Sequence, residues 1–308
     1  MSEQSSAPRD VAVIGLGSMG FGMAETLVRA GHRVTGFDLS AAARDRLVAI
    51  GGAVGDTPGK AAEGASIVVC VVVNSSQTEQ VMFGENGVIA TMPKGAVFVS
   101  SATMAPEAAV SFAKRAREQG ILYIDAPISG GAKRAAAGEL TIMASGAPEA
   151  FAAAGEVLDA MAQKIYRLGD EAGTGASVKM INQLLAGVHI AAASEAITLA
   201  SKLGLDLPTV YEVIVGSAGN SWMFENRIPH VLDGDYRPLS SIEIFVKDLG
   251  IIQDMARTER YPVPIAAAAL QMYLAASGAG MGKDDDSSVA RVYAQLSGTE
   301  LPPVKNGR

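Results

Sequence analysis

Residues 11–20 read Val-Ala-Val-Ile-Gly-Leu-Gly-Ser-Met-Gly: an apolar, β-branched run passes directly into Gly15-Leu16-Gly17-Ser18-Met19-Gly20. The G-x-G-x-x-G spacing has a mechanical meaning where it joins a strand to a helix. The first glycine permits the tight turn, the second lets a pyrophosphate approach the backbone, and the third lets the helix pack closely on the strand. The helix start then presents unpaired N–H groups and a positive dipole end to phosphate charge. With 34 glycines in 308 residues, roughly 0.4 chance matches to the pattern are expected, so placement decides its meaning. Here the match follows a strand, opens a helical segment, and is succeeded by a second strand ending in Gly36-Phe37-Asp38. A carboxylate at that position meets the adenosine ribose hydroxyls and repels a 2′-phosphate, and the adjacent Leu39 and Ser40 supply no arginine to receive one. The stretch predicts a dinucleotide-binding unit that takes NAD in preference to NADP.

The pattern continues outward from that loop. Short β-branched runs at 33–37, 67–73, 96–100, 122–125, 140–144 and 164–168 alternate with segments of helical period at 20–30, 41–50, 106–119 and 149–162. Such alternation reads as βαβ units on a mostly parallel sheet. After Gly173 come Ala- and Leu-rich helical segments at 177–203, 208–215, 244–257 and 263–277, with no clear strand among them. The fold class expected is α/β. A Rossmann-type doubly wound sheet covers 10–173, an interdomain helix 174–203, and an all-helical substrate and oligomerisation domain 204–300.

The 25 basic and 32 acidic side chains give a net charge of -7, without the basic field that nucleic acid or an anionic membrane surface requires. Apolar residues make up 49% and charged ones 19%, which excludes sustained disorder. Cys70 is the only cysteine, so no internal disulfide forms, and inside the run 67–73 it reads as a buried strand position in a reducing compartment. One cysteine and three scattered histidines, His32, His189 and His230, suggest neither a metal cluster nor a catalytic dyad. Residues 1–9 form a polar tail without the apolar core of a targeting signal, and 305–308 another loose end; the cytoplasm is the expected location. Residues 184–203 come closest to a membrane span, but His189 and Glu195 interrupt them, and a buried helix is the better reading. The helical half carries more apolar faces than one bundle of its size buries, so a homo-oligomer is expected.

Four further segments follow the glycine loop in order. They are Ser101-Ala102-Thr103-Met104-Ala105-Pro106, Asp125-Ala126-Pro127-Ile128-Ser129-Gly130-Gly131, Gly173-Thr174-Gly175 with Lys179-Met180-Ile181-Asn182, and Lys247-Asp248-Leu249-Gly250. Together they make the chain resemble the β-hydroxyacid dehydrogenases over nearly its whole length. The resemblance implies that Ser129, Gly130 and Gly131 hold a substrate carboxylate, as the exposed amides of consecutive small residues can. It implies that Lys179 is the catalytic lysine and Asn182 its companion toward the substrate. It further implies that Thr103 and Lys247 lie by the cofactor, where Gly15, Gly17, Met19, Gly20, Asp38 and Asn74 complete the set. The spacing is compatible, because Lys179 and Asn182 at i and i+3 share one face of a helix. Asp248 and Asp254 read equally well as caps or ion-pair partners. Many members carry Ser-Thr where this chain has Ala102-Thr103, so one hydroxyl is missing and the pocket is expected to differ from that of a 3-hydroxyisobutyrate enzyme. The Ser-Ala-Thr-Met-Ala-Pro form is most similar to the L-threonate branch of the family. The stretch Ser217-Ala218-Gly219-Asn220-Ser221-Trp222 reads either as a loop lining the substrate's hydroxyl end or as an aromatic anchor between helices.

Oxidising a carbinol needs a hydride acceptor and a base for the hydroxyl proton. The resemblance assigns the base to Lys179. A free lysine has a pKa of about 10.4, so the site must favour the neutral amine through burial and a neighbouring positive charge such as Lys247 or the oxidised nicotinamide. The activity expected is NAD-dependent oxidation of a small hydroxy acid, L-threonate at C2 in the first place. Tartronate semialdehyde reduction or 3-hydroxyisobutyrate oxidation comes next. A cofactor-binding interaction protein without turnover and an imine reductase are the readings from other classes, and neither has a use for Lys179.

Overall fold

The computed structural model describes residues 7–305 and divides into two compact units, Met1–Lys179 and Met180–Arg308. The tails expected at 1–9 and 305–308 lie largely outside the described residues. In the first unit β1 (Asp10–Ile14) turns through the glycine loop into α1 (Ser18–Arg29), followed by β2 (Arg33–Phe37), α2 (Ala41–Ala49), β3 (Ala53–Val54), α3 (Pro58–Ala62) and β4 (Ile67–Cys70). Then come α4 (Ser75–Phe83), β5 (Val97–Ser100), α5 (Pro106–Glu118), β6 (Leu122–Asp125) and β7 (Ile128–Ser129). The unit's sheet is completed after α6 (Gly131–Ala137) by β8 (Leu140–Gly146), α7 (Pro148–Met161) and β9 (Ala162–Arg167).

The strands lie in the order β3-β2-β1-β4-β5-β6-β8-β7, with β9 on β8. From β3 to β6 every pairing is parallel. Beyond β6 the sheet departs from the all-parallel run, because β8 is antiparallel to both β6 and β7. β1, β4 and β5 are interior strands with both faces covered, which is why they read as unbroken apolar runs and not as alternation. The two-residue period still shows in β1. Val11 and Val13 pack with Leu16, Met23, Leu27, Phe151 and Leu158 on one face, while Ala12 and Ile14 pack with Met82, Phe98 and Phe112 on the other. β4 ends at Cys70, short of the expected 73, because the strand reaches the sheet edge there; Val71 makes one last bond to the Ile14 carbonyl before the chain leaves.

Cys70 is fully buried in this core, and burial pushes its thiol up to about 12. Iodoacetamide is therefore expected to label Cys70 only after denaturation, at well under about a hundredth of the free-thiol rate in the folded protein, as mass spectrometry can read.

The second unit is helical, with no strand among its described residues beyond an isolated bridge between Ser241 and Asp285. α8 (Thr174–Lys202) begins in the first unit, and α9 (Leu207–Val215), α10 (Trp222–Asp233), α11 (Ile242–Thr258), α12 (Pro264–Ala276) and α13 (Val289–Ser297) follow. α11 approaches α8 at Gly187, where an added Cβ would lie 2.9 Å from Phe245. Phe245 stacks on Tyr273 at 5.1 Å, and the Tyr273 hydroxyl donates to the Gly187 carbonyl. α8 is long and apolar enough to cross a membrane by length and composition, yet half of its most apolar window is buried inside the protein, as a core helix requires. Trp222 opens α10 with 51% of its surface exposed, and Ser221 caps that helix.

Candidate active site

Parallel pairing brings the chemistry-bearing loops of the first unit to one edge. Ile14 is level with Phe37 and Cys70, Cys70 with Ser100, and Ser100 with Asp125. The glycine loop, Asp38, Asn74, Thr103 and the 125–131 segment therefore all leave the sheet at its carboxyl ends, where open α/β sheets bind ligands.

The glycine loop is built as its spacing implied. Gly15 has φ +94, and a Cβ there would lie 2.7 Å from the Val71 carbonyl oxygen. At Gly20 an added Cβ would lie 1.9 Å from the Gly15 carbonyl oxygen, whereas at Gly17 it would meet nothing within 4 Å. Gly17 caps α1 without any side-chain acceptor, which leaves the helix-start amides open toward phosphate. Met19 lies in the first turn of α1, half-buried against the core. Asp38 accepts from the Leu16 amide at 2.7 Å and from the Ser40 amide at 2.8 Å. About four lone-pair sites belong to a carboxylate, so roughly two remain for ribose hydroxyls. These features fit a dinucleotide. Sequence reading missed Arg44, which α2 folds back so that its guanidinium donates to the Asp38 carbonyl at 2.5 Å. Asn74 caps α4, its side chain accepting from the Gln77 amide at 2.9 Å, so part of its polarity is committed to the fold. Ala102 is 3% exposed and packs in the apolar cluster with Met104.

Ser129 ends β7, and Gly130 and Gly131 follow with φ of 136 and 76, conformations that side-chain-bearing residues avoid. They open α6, a short helix where the sequence suggested only a glycine-rich turn. Asp125, at the end of β6, is 1% exposed. One of its oxygens accepts from the Gly173 amide at 3.0 Å and the Ala176 amide at 2.8 Å, at the start of α8. Burial pushes its carboxyl up to about 6, while the Ala176 and Gly173 amides and the Ser145 hydroxyl pull it back. Lys179 lies in the second turn of α8 and is only 6% exposed, the burial that a lysine base requires.

In the second unit a polar chain joins the expected residues. The Asn182 amide donates to the Gln183 side chain at 3.0 Å, and Gln183 donates to Asp248 at 2.5 Å. The other oxygen of Asp248, which is fully buried, pairs with the Lys247 ammonium. Asp248 is thus an ion-pair partner and not a cap, and Lys247 is not a bare positive neighbour. Asp254 is exposed and pairs with Arg257. Among the histidines, the His32 ring accepts from the Arg9 amide and the His230 ring contacts the Asp235 carbonyl, both backbone roles. Among the described residues no group of His, Cys, Asp and Glu could hold a metal.

A family profile described as the NAD binding domain of 6-phosphogluconate dehydrogenase matches residues 10–169. Another, NAD-binding of NADP-dependent 3-hydroxyisobutyrate dehydrogenase, matches 173–293. L-threonate dehydrogenase of Cupriavidus necator is 51% identical over 294 residues, covering 96% of this chain and 98% of that protein. The chain belongs to the β-hydroxyacid dehydrogenases. The NAD-dependent L-serine dehydrogenase of Pseudomonas aeruginosa is 32% identical, over 94% of this dehydrogenase and 99% of its own length. A crystal structure of 3-hydroxyisobutyrate dehydrogenase from Salmonella typhimurium superposes with a TM-score of 0.88 at 46% identity, covering 92% of this dehydrogenase and 99% of that chain. The dehydrogenase is an NAD-dependent oxidoreductase that acts on the CH-OH group of a small hydroxy acid.

Proposed function

We propose that the dehydrogenase oxidises L-threonate at its C2 hydroxyl to 2-oxo-tetronate, with Lys179 as general base. The observation that carries the substrate is the 51% identity to an L-threonate dehydrogenase, against 46% for the 3-hydroxyisobutyrate dehydrogenase structure and 32% for the L-serine enzyme. When bound, NAD supplies the acceptor for the hydride on the carbinol carbon. Lys179 takes the hydroxyl proton on its amine, and in the reverse direction its ammonium returns a proton to the carbonyl oxygen. The Ser129 hydroxyl and the Gly130 and Gly131 amides hold the substrate carboxylate, which orients the reacting carbon. Asn182 hydrogen-bonds the substrate, and the Gln183 contact restrains its side chain. Thr103 and Lys247 serve the nicotinamide end of the cofactor, and Gly15, Gly17, Met19, Gly20, Asp38 and Asn74 the remainder. The exposed Ile181, Leu185, Leu199 and Leu203 of α8 support assembly into a homo-oligomer, and the acidic net charge suits a cytoplasmic enzyme that takes neither nucleic acid nor membrane as partner.

Initial rates with NAD on L-threonate, L-serine and 3-hydroxyisobutyrate, and with NADH on tartronate semialdehyde, test the substrate. L-threonate is expected to lead in kcat/KM by at least about tenfold, the margin that mismatched pocket polarity costs. A larger value for any other member of the panel contradicts the proposal. Cofactor choice has its own test in Asp38→Ala. The variant loses both the repulsive charge and the Leu16 amide bond, so NAD binding weakens while NADP, now facing Arg44, gains. The ratio of kcat/KM for NAD over NADP is expected to fall by about tenfold or more. An unchanged ratio assigns the discrimination to another group.

A further inference from the structure

Two of the motifs contain residues for which binding and proton transfer give no reason: Asp125, and the glycines of Gly173-Thr174-Gly175. The fold joins them. The start of α8 has no side chain of its own to cap it, since Gly173 stands where a Ser, Thr or Asp would usually accept from the first helical amides. The acceptors come instead from two sheet strands. Asp125 on β6 takes the Gly173 and Ala176 amides through one carboxylate oxygen, at 3.0 and 2.8 Å. Ser145, opposite it on β8, accepts from the Gly175 amide at 3.0 Å and turns its hydroxyl toward the same carboxylate oxygen at 3.5 Å. Both side chains are buried. A Cβ on Gly175 would lie 2.4 Å from the Met143 carbonyl oxygen and 2.8 Å from that of Asp125, so the helix start is pressed against the strands where no side chain fits.

We propose that Asp125, with Ser145, is a positioning residue for the reaction: by capping α8 from the sheet it fixes where Lys179 presents its amine. This inference rests on the reading of Lys179 as the base. Lys179 follows Ala176 by three residues, about 4.5 Å along the helix axis, so any slip of the first turn moves the lysine with it. The strand that supplies the carboxylate belongs to the same parallel edge that carries the glycine loop and Asp38. The cap therefore references the lysine to the frame that holds the nucleotide, and not merely to its own helix. An error of about 1 Å in such a placement costs on the order of a hundredfold in rate.

The test is Asp125→Ala in the full-length enzyme, which removes the one carboxylate oxygen that accepts both the Gly173 and the Ala176 amides and leaves the two without a partner. Expected are a fall in kcat of about 30- to 100-fold with KM for NAD and affinity for NADH within about twofold, and faster hydrogen exchange at the Gly173, Gly175 and Ala176 amides. In a Lys179→Ala background the same change is expected to cost nothing further in single turnover, because its effect passes through the lysine. If the Asp125→Ala variant does not fold, Ser145→Ala removes the weaker cap and is expected to lower kcat several-fold with NADH affinity unchanged. A kcat within twofold of the parent in the folded variant tested overturns the proposal, as does an equal loss in the presence and absence of Lys179. Normal turnover by Lys179→Ala alone defeats the reading of the base, whereas an inactive Lys179→Ala beside a fully active Asp125→Ala defeats only the positioning role.

Discussion

Lys179→Ala is expected to lower kcat for hydroxy acid oxidation by about 10²- to 10⁴-fold, the usual worth of a positioned general base. The side chain is 6% exposed in the second turn of α8, and no histidine among the described residues has a partner that would make it an alternative base. The loss is expected in kcat and kcat/KM alike, since the proton moves only in the transition state. NADH affinity, read by fluorescence titration, is expected to stay within about twofold, because the nucleotide loop and Asp38 belong to β1, α1 and β2. Lys179→Arg sharpens the result. A guanidinium keeps the positive charge but is not deprotonated in proteins, so this variant is expected to be as slow as the alanine. Turnover by either variant within about tenfold of the parent removes Lys179 from the chemistry.

The second large effect belongs to Gly20. An alanine Cβ there would lie 1.9 Å from the Gly15 carbonyl oxygen, 2.9 Å from the carbonyl carbon and 3.3 Å from the Val71 Cβ. The loop has no room to yield, because Gly15 is itself at φ +94 and within reach of the Val71 carbonyl. Gly20→Ala is therefore expected to separate α1 from β1, destabilising the first unit by about 3 kcal/mol and weakening NADH binding by about a hundredfold or more. Thermal unfolding and NADH titration check both. Gly17→Ala supplies the contrast: nothing stands within 4 Å of its Cβ, so the melting temperature is expected to hold while NADH affinity falls, the methyl occupying space meant for the pyrophosphate. A Gly20→Ala protein with parental Tm and NADH affinity would contradict this account of the loop.

The sequence announces elements whose physics is local and stays silent on those made by pairing at a distance. β2 and β6 match the runs at 33–37 and 122–125 because each is a short apolar strand bounded by turns. α4 was invisible to apolar periodicity, since Ser-Ser-Gln-Thr-Glu-Gln offers none; its one signal was Asn74 in a capping position. α10 contains Pro229, which interrupts the helical pattern, although Ser221 was a readable cap. β7 and α6 have no local signal, because Ile128-Ser129 is too short to show alternation and Gly130-Gly131 reads as a turn. The same division holds for the site. The glycines, Asp38 and the Lys179–Asn182 spacing could be found along the chain. Arg44, Gln183 and the roles of Asp125 and Asp248 could not, because their partners lie 6, 65 and 48 residues away and only the fold brings them within hydrogen-bonding distance.

The most direct measurement of the proposed reaction uses L-threonate carrying deuterium at C2, with NAD and the intact enzyme, and weighs the NADH produced. If hydride leaves C2 while Lys179 accepts the hydroxyl proton, each NADH formed carries one deuterium. Normal turnover that yields unlabelled NADH, or no NADH from L-threonate where another hydroxy acid gives it, would contradict the account.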